Sequence, residues 1–172
     1  LRQLSTEYGI PIVTTLMALG ASDTTKSLSL HMLGMHGLAS ANYAVEDCDF
    51  LIAIGARFDD RVAGDPEGFA PNAKKIAHFD IDISEINKVK NVDWYHVGDL
   101  KKDLDDLLNY GKGIKFSGDF KSWHHHISEL KEKYKLNYDK KSNLIQPYQV
   151  IEEINKLSGG EAIISTGVGQ HQ

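Results

Sequence analysis

The sequence has few of the residues that stabilise small secreted proteins or cross membranes. Cys48 is the only cysteine, so neither a disulfide nor a cysteine-rich zinc site can form within one chain. No apolar run is long enough to cross a bilayer, and we expect no membrane span. Acidic residues outnumber basic ones by 24 to 19, which gives a net charge of −5. This negative charge argues against nucleic acid or an anionic membrane as the main partner.

The length of the chain limits its organisation. With 172 residues it can hold one domain, or one domain and parts of its neighbours. A domain of this size buries about 70% of its unfolded surface, so it needs no disulfide or metal for stability. The sequence opens on what reads as the end of a helix and stops directly after a strand pattern. We therefore expect these residues to be a piece of a longer polypeptide.

Apolar, β-branched runs alternate with amphipathic segments over the first two thirds of the chain. The runs predict strands at residues 10–15, 49–55, 74–82 and 92–99. Helices are predicted behind Ser40 and Ser84 as N-caps, and at residues 99–110, where leucines form one stripe. This alternation predicts a parallel α/β sheet, and such sheets bind ligands at the carboxyl ends of their strands.

A charged loop, GARFDDR (residues 55–61), follows the second predicted strand. Gly55 lets the backbone approach a ligand closely, and Arg57 and Arg61 together can neutralise a diphosphate. The G-x-G-x-x-G fingerprint of dinucleotide folds is absent. The alternative is a surface turn whose arginines and aspartates pair with one another. The loop alone does not decide between these two interpretations.

The third predicted strand ends in the sequence FDID, which places Asp80 and Asp82 at its carboxyl edge. In dinucleotide folds a carboxylate at the end of the neighbouring strand commonly binds a ribose hydroxyl. Acidic residues also end strands that bind nothing. Arginines at one strand end and aspartates at the next favour a nucleotide with a diphosphate.

Two histidine-containing segments are candidate ligand sites. In HMLGMHGLAS (residues 31–40), Met35 and His36 can border a flat ring, although a glycine-rich loop leading into a helix is the simpler interpretation. The consecutive histidines 124–126 point about 100° apart on a helix, so they cannot converge on one metal ion. We expect them on the exposed side of that helix and predict no metal site.

The last third of the chain contains a second region. A helix is predicted from the apolar face formed by Trp123, Ile127, Leu130 and Tyr134, and another follows Pro147. Residues 161–166 are predicted to form a strand. The segment STGVGQHQ (residues 165–172) then offers exposed amides that can cradle an anionic group, or it forms a plain turn.

Five segments together closely resemble the large catalytic subunit of acetolactate synthase, also called acetohydroxyacid synthase. They are IPIVTTLMALG, HMLGMHG, IAIGARFDDRVAG, HFDIDISEINK and TGVGQHQ, and they span essentially the whole chain in the family's order. The resemblance implies a three-domain thiamine diphosphate enzyme. Residues 1–136 would be its central FAD-binding domain, residues 137–147 a linker, and residues 148–172 the truncated start of the C-terminal thiamine diphosphate-binding domain. The implied fold is a three-layer, Rossmann-like α/β domain with a mostly parallel sheet of about six strands between helices.

The same resemblance implies the residues that bind FAD in an extended conformation. Thr15, Leu16, Leu33, Gly34, Met35 and His36 would line the flavin, the last two near its isoalloxazine ring. Gly55, Ala56, Arg57, Asp59, Arg61 and Val62 would follow the ribityl and diphosphate groups. Asp80, Ile81, Glu85, Gly98 and Asp99 would hold the adenosine end. Met35, Asp60 and Arg61 would also border the substrate channel.

The implied reaction decarboxylates one pyruvate and joins its two-carbon fragment to a second 2-keto acid. The second acceptor is pyruvate or 2-ketobutyrate, and the products lead to isoleucine, valine and leucine. Val168, Gly169, Gln170 and His171 would contact the thiamine diphosphate, which Mg²⁺ anchors in this family. The activating glutamate and the metal-binding segment would lie outside these residues, so no catalytic residue and no metal ligand is expected here. The chain alone is therefore expected to be inactive.

The resemblance also implies the binding partners and the cellular location of the enzyme. Its partners would be small 2-keto acids, further catalytic subunits in a homodimer or homotetramer, and a small regulatory subunit. The enzyme would be cytoplasmic in a bacterium and organellar in a eukaryote. Two alternatives stay open: a related carboligase, such as a catabolic acetolactate synthase without FAD or a glyoxylate carboligase, and a nucleotide-binding module without catalysis.

Overall fold

A computed structural model describes residues 1–114, 118–167 and 169. The chain forms two compact units, Leu1–Tyr134 and Lys135–Gln172. The helices are α1 (Arg2–Tyr8), α2 (Ala39–Asp47), α3 (Asp60–Ala63), α4 (Leu100–Gly111), α5 (Lys121–Lys133) and α6 (Pro147–Ser158). The strands are β1 (Ile12–Thr14), β2 (Ser29–Met32), β3 (Phe50–Ile54), β4 (Lys75–Asp80) and β5 (Trp94–Val97). Short 3-10 turns lie at Leu16–Ala18 and Ile83–Glu85.

All strand pairs in the described residues are parallel, which confirms the predicted α/β class. β4 lies between β3 and β5 in one sheet, and β1 pairs with β2 in another. The described strands number five, against the six or so expected. Four strands were predicted close to their observed bounds. β2 was missed, because its sequence SLHM is short and carries serine and histidine among the apolar residues.

The core of the first unit is built around α2. This helix presents Ala41 and Ala44, which are 0% and 3% exposed, to β2 and to α5. Small side chains let the neighbouring elements approach closely, and α5 fills the space with Ile127 and Leu130. The remaining buried members of the cluster are Leu30, Leu33, Val45 and Ala70.

Two helix starts differ from the sequence prediction. Ser40 is not the N-cap of α2: the helix begins at Ala39, with Leu38 at the cap position. The Leu38 amide donates to the Met32 carbonyl at 2.8 Å, and this bond directs the chain into the helix before Ser40. Ser40 is instead buried inside the helix at 3% exposure.

The helix predicted behind Ser84 is only a 3-10 turn. Its cap is Asp82, whose carboxylate accepts from the Ser84 amide at 2.8 Å. Asn87 has a positive φ of 58° and its side chain accepts from the Val92 amide at 2.8 Å. Extended backbone at Ile86 ends the turn and the left-handed Asn87 follows it, so the segment does not continue as a helix.

The leucine stripe of α4 and the apolar face of α5 are confirmed. In α4, Leu108 is buried while Asp99 caps the helix. The three histidines of α5 are only partly as expected. His125 is exposed, but His124 hydrogen-bonds the Gly9 carbonyl at 2.7 Å and His126 contacts the Asp47 carboxylate at 2.8 Å. Two of the three therefore hold α5 against neighbouring segments.

The second unit contains α6 and irregular backbone. α6 begins with Pro147 and ends at Gly159, whose φ is 60°. Residues 161–166 form no strand in the structure, contrary to the prediction. A β-strand needs a neighbouring strand to pair its backbone groups, and the described part of this unit supplies none. Across the described ranges, no helix is long and apolar enough to span a bilayer.

Candidate functional site

The carboxyl ends of β3, β4 and β5 meet at one edge of the sheet. The register pairs Ile54 with Phe79 and Asp80 with Val97. Beyond the strands, the Gly55 amide donates to the Phe79 carbonyl at 2.8 Å, and the Gly98 amide donates to the Asp80 carbonyl at 3.0 Å. Three separate predicted segments therefore lie side by side: the loop from Gly55, the turn after Asp80, and Gly98 with Asp99.

The loop after β3 is anchored by an aromatic residue and presents its charges outward. Phe58 is 4% exposed, although its neighbour Arg57 has a side chain 66% exposed. Both Gly55 and Phe58 have positive φ, 61° and 54°. The Phe58 ring packs edge-on against Phe69, and this contact holds the strained residue in place.

The ion pair in this loop is loose. Arg57 lies 3.6 Å from the carboxylate of Asp59, and both side chains are well exposed. Asp59 also caps α3, accepting from the Arg61 amide at 3.2 Å. An exposed pair of this kind contributes little stability, so Arg57 is free to bind an anion instead.

The glycine-rich segment after β2 contacts the start of α3. The Met35 amide donates to the Arg61 carbonyl at 2.8 Å, and the Arg61 guanidinium lies 3.5 Å from the Met35 sulfur. Gly34 is buried with a φ of 94°, and a Cβ there would lie 2.4 Å from the Arg61 carbonyl oxygen. Only glycine allows this close approach of the two segments.

An amide side chain fixes the same segment from the other side. Asn42 of α2 accepts from the Gly34 amide at 2.7 Å and donates to the Gly34 carbonyl at 3.0 Å. Both polar groups of one residue are thereby paired with a single side chain. This two-point contact orients the backbone that carries Met35 and His36, which are both exposed.

A cavity of about 270 Å³ lies next to these contacts. Met35, Asp60 and Arg61, the three residues predicted to border a substrate channel, all line it. Gly34, Asn42 and Val62 line it as well. The cavity thus combines apolar walls with one cation, Arg61, and two carboxylates, Asp60 and Glu46.

The turn after β4 carries the predicted adenosine-binding group. Asp80 is 7% exposed, and one of its carboxylate oxygens accepts from the Asp82 amide at 2.9 Å. Ile81 is 72% exposed and offers an apolar surface. Glu85 pairs with Lys88 at 2.8 Å through one oxygen, while its other oxygen is buried and has no partner among the described residues.

Gly98 and Asp99 join β5 to α4. The Asp99 carboxylate accepts from the amides of Lys101 and Lys102, which makes it the N-cap of α4. Behind Gly98, His96 lies 3.1 Å from the carboxylate of Asp103. A Cβ on Gly98 would lie 2.6 Å from Asp103, so the backbone passes very close to this pair.

The flavin-lining residues predicted at the end of β1 lie in the smaller sheet. Thr15 directly follows β1, and Leu16 begins the next turn with 52% exposure. The Leu33 amide donates to the Thr14 carbonyl at 3.1 Å. The structure therefore brings residues 15–16 to residues 33–36, and residues 34–35 to Arg61.

A family model described as "Thiamine pyrophosphate enzyme, central domain" matches residues 1–107. The chain belongs to this family. The match confirms the thiamine diphosphate enzyme family that the sequence motifs predicted. It covers the strands and loops that form the candidate site.

The relatives of this thiamine pyrophosphate enzyme chain include acetolactate synthases of plants and of a bacterium. "Acetolactate synthase 1, chloroplastic" of Nicotiana tabacum is 46% identical over 175 residues, covering 100% of this chain and 26% of the relative. "Acetolactate synthase 2, chloroplastic" of Zea mays is 48% identical over 166 residues, covering 95% and 26%. "Acetolactate synthase large subunit" of Corynebacterium glutamicum is 46% identical over 174 residues, covering 100% and 28%. The chain thus spans about a quarter of the length of the curated relatives it matches.

Most of the residues predicted to contact thiamine diphosphate lie outside the described part of the chain. Val168, Gln170 and His171 lie outside the described residues, and Gly169 is exposed in the second unit. Within the described ranges, no group of three or more histidine, cysteine, aspartate or glutamate residues can hold a metal ion.

The sequence analysis did not predict the residues that contact the candidate site and hold it in place. Asn42, Phe58, His78 and Asp103 all contact predicted site residues or the backbone beside them. The sequence did contain one signal. His78 interrupts the apolar strand KIAHFD two residues before Asp80, and alternation places both side chains on the same face.

Proposed function

We propose that this chain is the central, FAD-binding region of the large catalytic subunit of an acetolactate synthase. The complete enzyme condenses two molecules of pyruvate, or pyruvate and 2-ketobutyrate, with release of CO₂ in branched-chain amino-acid biosynthesis. The proposal is supported by relatives named acetolactate synthase at 46–48% identity over 95–100% of the chain. No finding favours a carboligase of another kind or a non-catalytic module.

The domain division follows the same proposal. Residues 1–136 form the central domain, residues 137–147 the linker, and residues 148–172 the start of the thiamine diphosphate-binding domain. The separation of compact units at Tyr134 and Lys135 supports a boundary near this position. The irregular backbone of residues 137–146 supports the linker.

The residues at the sheet edge fit a flavin adenine dinucleotide. The single observation that carries this proposal is the convergence of the Gly55–Arg57 loop with Asp80, joined by the hydrogen bond from Gly55 to Phe79. A diphosphate needs a cation and open backbone, which Arg57 and Gly55 supply. A ribose needs an acceptor at the next strand end, which Asp80 supplies.

The flavin ring would lie toward the segment that carries Met35 and His36. Met35, Leu16 and Met17 offer exposed apolar side chains, at 63%, 52% and 89% exposure. Thioethers pack well against aromatic rings. In this proposal the flavin has a mainly structural role, so the chain's own residues bind and orient it and no redox step is assigned to them.

The cavity beside Arg61 is proposed as part of the substrate channel. A 2-keto acid carries a carboxylate, and the Arg61 guanidinium is the cation that lines this cavity. Met35 gives one wall of the cavity an apolar surface, and its sulfur, 3.5 Å from the Arg61 guanidinium, helps to orient that group. When bound in the complete enzyme, thiamine diphosphate with its Mg²⁺ would supply the electron sink that decarboxylation of a 2-keto acid needs.

The proposal also includes the subunit assembly and the cellular location of the enzyme. Catalytic subunits associate as homodimers or homotetramers, and a small regulatory subunit joins them. The enzyme works in the cytoplasm of a bacterium or in an organelle of a eukaryote. Plant relatives named chloroplastic are consistent with the second location.

An activity assay of the full-length protein tests this function. Acetolactate formation from pyruvate should require thiamine diphosphate, a divalent metal and FAD together. Activity that survives complete removal of FAD would favour a flavin-free catabolic synthase and contradict the proposal. The isolated 172-residue chain should not consume pyruvate, and any turnover by it would contradict the domain division.

A further inference from the structure

His78 is a buried histidine to which the proposed function gives no role. It lies in the middle of β4 with 0% of its surface exposed. Neither ring nitrogen has a hydrogen-bond partner among the described residues. Nearly all buried polar groups in proteins are hydrogen-bonded, so an imidazole left unpaired in a sheet needs a specific explanation.

The carboxylate of Asp80 lies close to this imidazole. The Nε2 atom of His78 and the Oδ2 atom of Asp80 are 3.7 Å apart, slightly beyond hydrogen-bond length. Asp80 is held through its other oxygen, which accepts from the Asp82 amide at 2.9 Å. A small rotation of the carboxylate is therefore enough to form the bond from His78.

The aromatic face of His78 supports the neighbouring loop. Its ring lies 5.1 Å from the ring of Phe58, in an edge-to-face arrangement. Phe58 is the buried anchor between Arg57 and Asp59, and its φ is positive. One side chain therefore lies beneath both halves of the proposed nucleotide site, the carboxylate at Asp80 and the diphosphate loop at Arg57.

We infer that His78 is a positioning residue of the nucleotide site, an inference that rests on the proposed function. Its Nε2–H donates to Oδ2 of Asp80 and fixes the carboxylate in the orientation that accepts a ribose hydroxyl. Asp80 keeps lone pairs for the ribose, because a carboxylate has about four acceptor positions. The ring of His78 at the same time holds Phe58 beneath the diphosphate loop.

A matched pair of variants separates the polar role from packing. His78→Gln keeps an N–H donor. His78→Met introduces a side chain of nearly the same shape as glutamine but without a hydrogen-bond donor. The dissociation constant for FAD is measured in the full-length protein by fluorescence titration, for variants whose circular dichroism matches the wild type. We expect FAD to bind at least fivefold more weakly to His78→Met than to His78→Gln. In an Asp80→Ala background this difference should disappear.

Two outcomes overturn the inference. The first is a difference between His78→Met and His78→Gln below fivefold, and the second is an equal difference in the Asp80→Ala background. If His78→Gln and His78→Met do not fold, His78→Phe is compared with the wild type instead, because it keeps a ring against Phe58 but has no donor. FAD should then bind at least fivefold more weakly to His78→Phe, and a smaller difference would overturn the inference. A wild-type protein that binds no FAD would instead refute the proposed function, so the two failures are distinguishable.

Discussion

Replacing Gly34 with alanine should strongly destabilise the protein. The φ of Gly34 is 94°, and an alanine in this left-handed region costs about 1–2 kcal/mol. The new Cβ would also lie 2.4 Å from the Arg61 carbonyl oxygen and 3.1 Å from the Val62 Cα. Backbone atoms cannot move aside as a flexible side chain can, and such overpacking costs about a further 1–3 kcal/mol. We expect a total loss of about 2–5 kcal/mol.

Gly20 provides a matched control for this substitution. Its φ is 90°, close to that of Gly34, but a Cβ there would meet no atom within 4 Å. Gly20→Ala should therefore show only the backbone cost, about 1–2 kcal/mol. Urea unfolding of both variants gives the difference directly. Equal losses would refute the claim that close packing of residues 34–35 against Arg61 requires glycine.

Three further substitutions test other parts of the account. Asn42→Leu leaves the amide and carbonyl of Gly34 unpaired and should lower the free energy of unfolding by about 1–3 kcal/mol, whereas Asn42→Asp keeps one bond and should lose less. Urea midpoints that do not fall in this order would contradict the two-point contact. Asp99→Ala removes the cap of α4 and should cost about 1 kcal/mol, against about 0.5 or less for the exposed helix residue Asp105→Ala; equal losses in thermal unfolding would refute the cap. Burial, with a smaller contribution from Asp49, raises the pKa of Cys48 to about 11. The unfolded thiol ionises near pH 8.5, so stability should be complete below that pH and should fall as the pH rises toward about 11. Cys48→Ala should flatten this decline, and a urea midpoint that falls equally with pH in the two proteins would contradict the raised pKa.

Local sequence patterns predicted the elements that carry the site because their signals lie within short segments. The apolar runs ending at Ile54 and Asp80 appear as adjacent parallel strands, with Gly55 and Asp80 at the same edge. The rule that parallel sheets bind ligands at their carboxyl ends was enough to relate the two loops. It needed only the order of strands and helices.

Contacts between distant segments could not be read from the sequence. The packing of Gly34 against Arg61 joins residues 27 positions apart, and the Asn42 contact depends on where α2 places its side chain. The start of α2 depends on a closer contact, the loop hydrogen bond from the Leu38 amide to the Met32 carbonyl six residues earlier, which no sequence pattern signals. Local propensity at Ser40 does not contain that information.

The predicted site roles at Arg57, Asp80 and the other FAD residues stay predictions, although the ends of β3, β4 and β5 lie at one edge of their sheet. Equilibrium titration of the full-length protein with FAD, at a fixed salt concentration, tests them most directly. Arg57→Ala should weaken FAD binding at least tenfold, about 1.4 kcal/mol, because it removes the cation proposed to pair with the diphosphate. Lys121→Ala, which removes an exposed charge at the start of α5, should leave the affinity unchanged. FAD affinity that is the same in wild type and Arg57→Ala would contradict the assignment of this sheet edge as the FAD site.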